Sequence, residues 1–536
     1  MLLRIQNKAY VFNIILVICL IVFSVQSYTS LTQKSSTWDE THYFGLGKYL
    51  LKESTWDVPG SILHPPLSYY LHSLPQLFFP TNSKIWKDRA AEVWAEQKNK
   101  LRYLGTTDFI RGQLLLSEPA NENDKLLILS RLMIVLVGLL LGYFVYQWCY
   151  TLYGKENALL SLILYTFSPN ILAHTGLITP DMTITAFFFV ATYFLWRALK
   201  LNSLKHTILC GVFLGFALLS KYTGLLLIPL ILILTVIWKI KCKTLNVNHI
   251  LIIFVIGFAL LLLGYRGNIQ PYFQGITVQL EFAKTSNNAF LWGNYSQTGW
   301  WYYFFAAFLI KTPIPTLILL GLSFYMLFDK NNKKRIDELF LLLPVIFIFG
   351  FFSIKYQNIG LRYVLPVFPF LFVFCGKIIN LSYKKKIARI ALLILMVWYI
   401  GSSLYVHPHY LAYFNELVGG PDKGYKYLVD SNIDWGQDLK ELKKYMDENN
   451  IEKINLSYFG TDSPERYGIK YDWLPSVYLR NNEPQKQIAL PLKGLIAISV
   501  TNLQGVHFED NNLFSWLKNY EPIKKIGYSI YVYDIK

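Results

Sequence analysis

The chain has 536 residues, 53% of them hydrophobic and 17% aromatic, with a formal net charge of +17. A mean hydropathy of +0.32 is too apolar for an ordinary soluble enzyme. The basic residues are spread through short loops between apolar runs rather than gathered in one patch, which argues against a nucleic-acid partner and for a polytopic membrane protein. The five cysteines, Cys19, Cys149, Cys210, Cys242 and Cys375, fall in apolar runs or beside lysine-rich loops, so neither a disulfide framework nor a paired zinc spacing is implied.

Arg4 and Lys8 precede the first apolar run, Ala9 to Tyr28. No convincing small-residue cleavage pattern follows, so an uncleaved first span is expected rather than a signal peptide. A polar segment then runs to about Asp124, opening with Trp38-Asp39-Glu40-Thr41-His42-Tyr43 and continuing through His64-Pro65-Pro66-Leu67. Acids at the rim of a membrane helix are costly to dehydrate and mark a functional site, although Asp39 and Glu40 would equally suit a helix N-terminus. The proline-broken piece Leu67 to Phe79 is expected to lie in the interface or re-enter, and Trp86 to Arg102 mixes charge and aromatics as a surface helix would.

Further spans are read at 126–148, 157–173, 181–197, 205–220, 224–239, 248–265, 309–327, 338–354, 362–380 and 388–406. With the first run this makes about eleven crossings. Lys155, Arg197, Lys200, Lys205, Lys239, Lys241, Lys243, Lys330, Lys333, Lys334, Arg335, Lys384, Lys385, Lys386 and Arg389 all fall in alternate loops, on the side of Arg4 and Lys8. The positive-inside rule then puts the N-terminus inside and both the acidic segment and the C-terminus outside.

On that map the short outer loop His174 to Asp181 ends in an acid that opens a helix, where N-capping alone would account for it. Lys221, Lys311, Lys355 and Arg362 break the charge rule by lying at outer ends, and Arg131 sits about two turns below one. Any one of them could snorkel. Several converging at one depth suit an anionic group at the outer headgroup level, a phosphate above all. Asn294 to Phe305 is an aromatic belt that anchors at the interface and could also stack on sugar faces, and Lys311-Thr312-Pro313-Ile314-Pro315 is a broken helix start.

Beyond His407 the composition becomes that of a small α/β unit, with a helix at Leu439 to Glu448 and strands at Ile454 to Phe459, Gly494 to Val500 and Tyr528 to Tyr533. Asp430, Asn432, Asp434, Asp438 and Glu441 mimic some calcium-loop spacings. Trp435 stands where such a loop needs glycine, so turns and caps are the better reading.

With these residues in place, the chain resembles the polyprenyl-phosphate-dependent GT-C glycosyltransferases. The likeness is greatest to the protein O-mannosyltransferase group (glycosyltransferase family 39) of bacterial type, with the aminoarabinose transferases of lipid A as more distant kin. Asp39-Glu40-Thr41-His42-Tyr43 matches that group's Asp-Glu-x-His-aromatic motif and His64-Pro65-Pro66-Leu67 its His-Pro-Pro-Leu. Arg131, Thr179-Pro180-Asp181 and Gly360-Leu361-Arg362-Tyr363 add weaker matches, and Asp430 to Asp438 is a run typical of bacterial relatives. The loop 266–300 is too short for the β-trefoil of eukaryotic members, which leaves the acceptor open.

The resemblance implies a mostly α, polytopic GT-C domain over residues 1–406, with its first outer loop at about 29–124, and an extracytoplasmic α/β domain over 407–536. It implies inverting transfer of a hexose such as mannose from a polyprenyl-phosphate donor to a hydroxyl of a protein, lipid or glycan, at the outer face of a bacterial inner membrane. Asp39 is then the general base. Glu40 points about 100° away on the helix and positions donor or acceptor. Asp181 binds sugar hydroxyls or orients a cation. Arg131, Lys221, Lys311 and foremost Arg362 hold the phosphate, while His42, His64 and Tyr363 contact substrate. No cofactor is implied, although a divalent metal is compatible with the motif. A surface-glycan polymerase or ligase would share this logic; a transporter fits less well, because the polar candidates cluster on one face and no internal repeat is seen.

Overall fold

The structure is a computed structural model that describes residues 2–53, 56, 58–80, 106–243, 246–284, 288–329, 334–354, 357–382, 386–477 and 491–536. The expected surface helix from Trp86 to Arg102, together with Lys330, Lys333, Lys355, Lys384 and Lys385, lies outside the described residues.

Among the described residues seven helices are long and apolar enough to cross a membrane, or nine if each of two bent pairs is one span. Two shorter apolar helices, Leu204–Ser220 and Val367–Leu381, fall on the remaining expected segments. The bent pairs have local causes. Lys155–Thr166 and Pro169–Thr175 meet at 60°, where Pro169 opens the second helix and Ser168 caps it by accepting from the Ile171 N–H. Tyr303–Lys311 and Ile314–Phe328 meet at 113°, across the Thr312-Pro313 break anticipated above.

The described part of the segment after the first span holds two helices packed on each other, Trp38–Glu53 and Thr106–Leu116. Gly45 and Gly112 sit at that contact: a Cβ on Gly112 would come within 1.8 Å of the Thr41 carbonyl, so only glycine admits this approach. Leu67 to Phe79 becomes a short helix, Pro66–Ser73, and a 3₁₀ turn, Pro75–Phe78. The loop 266–300 holds an unanticipated helix, Gln270–Lys284, and a hairpin of β1 (Ala289–Leu291) with β2 (Asn294–Ser296). Its sparse apolar residues gave no membrane signal, and a helix that does not span needs none.

The C-terminal region forms a five-stranded mixed sheet of β3 (Ile454–Ser457), β4 (Tyr471–Trp473), β5 (Gly494–Ser499), β6 (Lys524–Ile526) and β7 (Ile530–Ile535), in the order β4-β3-β5-β7-β6. β3 runs parallel to β4 and β5; β7 is antiparallel to β5 and β6. The helix Leu439–Glu448 has the predicted bounds and buries Leu439, Leu442 and Met446, one face at helical spacing, against Ile454, Leu456 and Val532. The short strands β4 and β6 were not foreseen, since three residues carry too little alternation to read.

Candidate active site

Thr37-Trp38-Asp39-Glu40 has capping-box spacing, and the structure forms its glutamate half. Glu40 reaches back to accept from the Thr37 N–H at 2.8 Å and its Oγ1 at 3.0 Å. The same fully buried carboxylate accepts from Arg131 Nε at 2.9 Å and Nη2 at 2.6 Å, and from the Ile178 N–H at 3.1 Å. Arg131 donates further to the carbonyls of Leu31 at 2.8 Å, Lys34 at 2.9 Å and Ser35 at 2.8 Å. That commits every N–H a guanidinium has. Arg131, expected at a phosphate, is instead the buried counter-ion that fixes the start of the acidic helix, and Glu40 has no lone pair left for a substrate.

Asp39 faces another way. Its Oδ2 accepts from Arg362 Nη1 at 2.7 Å, and its side chain keeps 24% exposure against 9% for Arg362. The same Nη1 lies 3.7 Å from Asp181 Oδ2, while Asp181 Oδ1 accepts from Lys221 Nζ at 2.7 Å. Two carboxylates and two cations therefore alternate in one cluster, drawn from the Trp38–Glu53 helix, the N-terminus of the Pro180–Leu201 helix, the end of Leu204–Ser220 and the turn before Val367. Asp181 Oδ2, Arg362 Nε and His64 Nδ1 are buried without a hydrogen-bond partner among the described residues. This cluster retains polar capacity that the Glu40–Arg131 pair has exhausted.

Aromatic faces frame the cations. The Arg362 guanidinium lies 4.3 Å from the Trp435 ring centre and 5.4 Å from that of Tyr363, and the Lys221 ammonium 4.8 Å from Tyr363. Lys221, Arg362 and Tyr363 form the polar end of a narrow cleft whose other walls include Ile184, Phe188, Leu226, Ile348 and Phe352. His64 packs on Tyr43 at 5.7 Å. Burial, and then the Lys221 ammonium, hold its imidazole well below the ordinary range, so it is neutral at pH 7. His42 turns away from the cluster: its ring packs among Tyr43, Tyr69 and Phe109, with Nδ1 3.9 Å from Asp108 Oδ2.

Lys311 was also expected at a phosphate. Its buried ammonium donates to the carbonyls of Leu411 at 2.9 Å, Tyr413 at 3.0 Å and Asn432, and so ties the C-terminal region to the bent helix pair. The calcium-like acids diverge to separate partners: Asp430 to His507, Asp434 to the Thr501 N–H, Asp438 to Ser529 and Lys34. His409, Asp438 and Glu441 do converge at metal-ligand spacing, but the Lys34 ammonium stands among them, 2.6 Å from Asp438 and 2.5 Å from His409 Nδ1. Those donors fit an ammonium already supplied by the chain and do not fit a further divalent ion. Trp435 was not singled out as a site residue in the sequence, where it was read as a misfit in a calcium loop and as part of the Asp430 to Asp438 run, though its presence in an acidic run beside a membrane site was the available signal.

Residues 126–265 match the family model described as dolichyl-phosphate-mannose-protein mannosyltransferase. No curated protein matches. Similar solved structures include ArnT from Cupriavidus metallidurans in the apo state, 15% identical with a TM-score of 0.42 over 76% of this chain and 70% of that one. ArnT from the same organism bound to undecaprenyl phosphate is 14% identical with a TM-score of 0.45, over 96% of this chain and 97% of that one. The segment that supplies Arg131, Asp181 and Lys221 thus carries the sequence pattern of the dolichyl-phosphate-mannose-protein mannosyltransferase family.

Proposed function

We propose that this chain is a GT-C membrane glycosyltransferase that moves a sugar, a hexose such as mannose, from a polyprenyl-phosphate carrier to an acceptor hydroxyl outside the cytoplasm. The observation that carries this reading is the pairing of Arg362 with Asp39 and Asp181, and of Lys221 with Asp181, where both cations line a largely apolar cleft. A lipid phosphate needs cations where its headgroup sits and an apolar wall where its chain begins, and both meet at Lys221 and Arg362. The family match over 126–265 and the positive-inside orientation support the same reading.

In this mechanism the acceptor oxygen attacks the anomeric carbon as the bond from that carbon to the phosphate oxygen breaks. The phosphate leaves with the bonding pair, and Asp39 takes the acceptor proton. Arg362 and Lys221 stabilise the charge that gathers on the leaving phosphate, a term largest in a dry site. The arriving phosphate competes with Asp39 for Arg362, which frees the carboxylate to act as base. Asp181 holds the two cations together across the cleft. Tyr363 and the neutral His64 line the sugar side, while Glu40, Arg131 and Lys311 hold the scaffold. Residues 1–406 would form the catalytic membrane domain and 407–536 an outer domain, in a bacterial inner membrane with the N-terminus cytoplasmic.

The test is turnover in proteoliposomes loaded with a labelled undecaprenyl-phosphate hexose. Release of free lipid phosphate coupled to sugar transfer supports the proposal. Uptake of the lipid or sugar without turnover would make the chain a carrier instead.

A further inference from the structure

We propose that residues 430–438 act as a clamp holding the two halves of the charge cluster in register, with Trp435 as the positioning residue for Arg362. The functional readout rests on the transferase reading above; the geometry does not.

Asp39 and Arg362 are 323 residues apart in the chain, and neither lies within a long membrane helix. Arg362 sits on a 3₁₀ turn, Leu361–Val364, which by itself leaves a long side chain free to swing. The clamp grips that turn from one side. Asn432 Oδ1 accepts from the Leu361 N–H at 3.0 Å, and Ser431 Oγ donates to the Ile359 carbonyl at 2.8 Å. Asn432 Nδ2 donates to the Tyr303 hydroxyl at 3.0 Å. The contact is close enough that a Cβ on Gly360 would stand 2.2 Å from Ser431 Oγ.

From the other side it grips the start of the acidic helix. The Trp38 N–H donates to the Trp435 carbonyl at 2.8 Å and the Ser35 N–H to the Gln437 carbonyl at 2.9 Å, while Ser35 Oγ donates to the Gly436 carbonyl at 3.0 Å. Between these grips the buried Trp435 ring covers the guanidinium at 4.3 Å. The clamp is itself anchored: the Thr501 N–H donates to Asp434 Oδ2 at 3.0 Å at the end of β5, and Gln437 Oε1 accepts from the Trp435 N–H at 2.7 Å. One nine-residue stretch thus fixes the backbone beneath Asp39, the backbone beneath Arg362 and the plane of the guanidinium. Without the ring, Arg362 can settle on either of its two carboxylates, and the phosphate must displace it from a deeper minimum.

The experiment uses the full chain in nanodiscs, with amide hydrogen exchange as a first readout and donor kinetics as a second. Trp435→Ala should speed exchange across both 35–43 and 359–363 and raise the donor KM about ten-fold with a smaller fall in kcat. Trp435→Phe should restore both, because it returns an aromatic face. Ser431→Ala, a milder change that keeps the fold, should speed exchange across 359–363 alone. Wild-type exchange in both segments for Trp435→Ala, or equal loss of kcat and no KM change in Trp435→Ala and Trp435→Phe, would overturn the proposal. A wild-type chain inactive on every polyprenyl-phosphate sugar would remove the transferase reading and leave the exchange result to decide the clamp.

Discussion

Asp39 and Glu40 are neighbours in the chain, and each pairs with an arginine from a distant part of the fold, yet the two pairs have opposite characters. Glu40 and Arg131 are both fully buried and spend their remaining hydrogen-bonding capacity on Thr37 and on backbone groups of Leu31, Lys34, Ser35 and Ile178. Asp39 is partly exposed, its buried partner Arg362 is shared with Asp181, and the pair adjoins buried polar atoms without hydrogen-bond partners among the described residues. A buried pair whose lone pairs and protons are all spent can only hold structure, since any ligand would have to break it. A cluster with polar capacity to spare, beside a cleft, is where a ligand gains from binding. Saturation, rather than charge or burial, separates the scaffold from the chemistry.

That contrast can be broken by mutation, the largest effect first. Asp39→Asn should reduce transfer by about 10²–10⁴-fold, the usual worth of a well-placed general base, while membrane insertion and the melting curve stay at wild-type values. A comparable loss of folding would make Asp39 another scaffold acid. Arg131→Ala should instead strike stability, at about 3–5 kcal/mol, by leaving Glu40 charged and buried without its partner; unfolding in detergent measures it, and an intact Tm would reverse the assignment. Arg362→Ala and Lys221→Ala should each weaken donor binding by about 10–100-fold, the worth of one charge-assisted hydrogen bond, read as competition by undecaprenyl phosphate. Equal loss with Lys311→Ala on donor affinity alone, without loss of stability, would return Lys311 to the phosphate.

The smallest effect sharpens the comparison from the C-terminal region. Burial pushes the Asp434 carboxyl up to about 8. An unfolded aspartate titrates near 3.9, so between these values the folded chain holds a proton that the unfolded chain has released. The stabilisation is complete below the lower value and is lost as pH rises through the upper one. The Tm should therefore fall between about pH 4 and 8 and level off above, and Asp434→Asn should flatten that slope. An unchanged slope in the variant would place the titrating group elsewhere.

Much of this was legible from the chain. Long apolar runs announce membrane helices because the bilayer has a fixed thickness, and proline-bearing breaks such as Thr312-Pro313 announce bends because a helix cannot run through them. Asp39, Asp181, Lys221 and Arg362 were picked out as polar residues at one depth, and they do meet. Arg131 and Lys311 satisfied the same criterion and are occupied otherwise. Depth along a helix can be read from hydropathy, whereas the carbonyls that absorb Arg131 come from Leu31, Lys34 and Ser35, a turn whose path no local pattern describes.

Sequence alone thus determined the membrane class, the run of apolar segments and the Leu439–Glu448 helix, because each depends on composition and periodicity within a few turns of chain. Only the tertiary structure decided which of two adjacent acids is spent and which is open, and that a stretch near Trp435 reaches both. Those outcomes depend on hydrogen-bond saturation among groups hundreds of residues apart, and saturation is a property of the assembled fold.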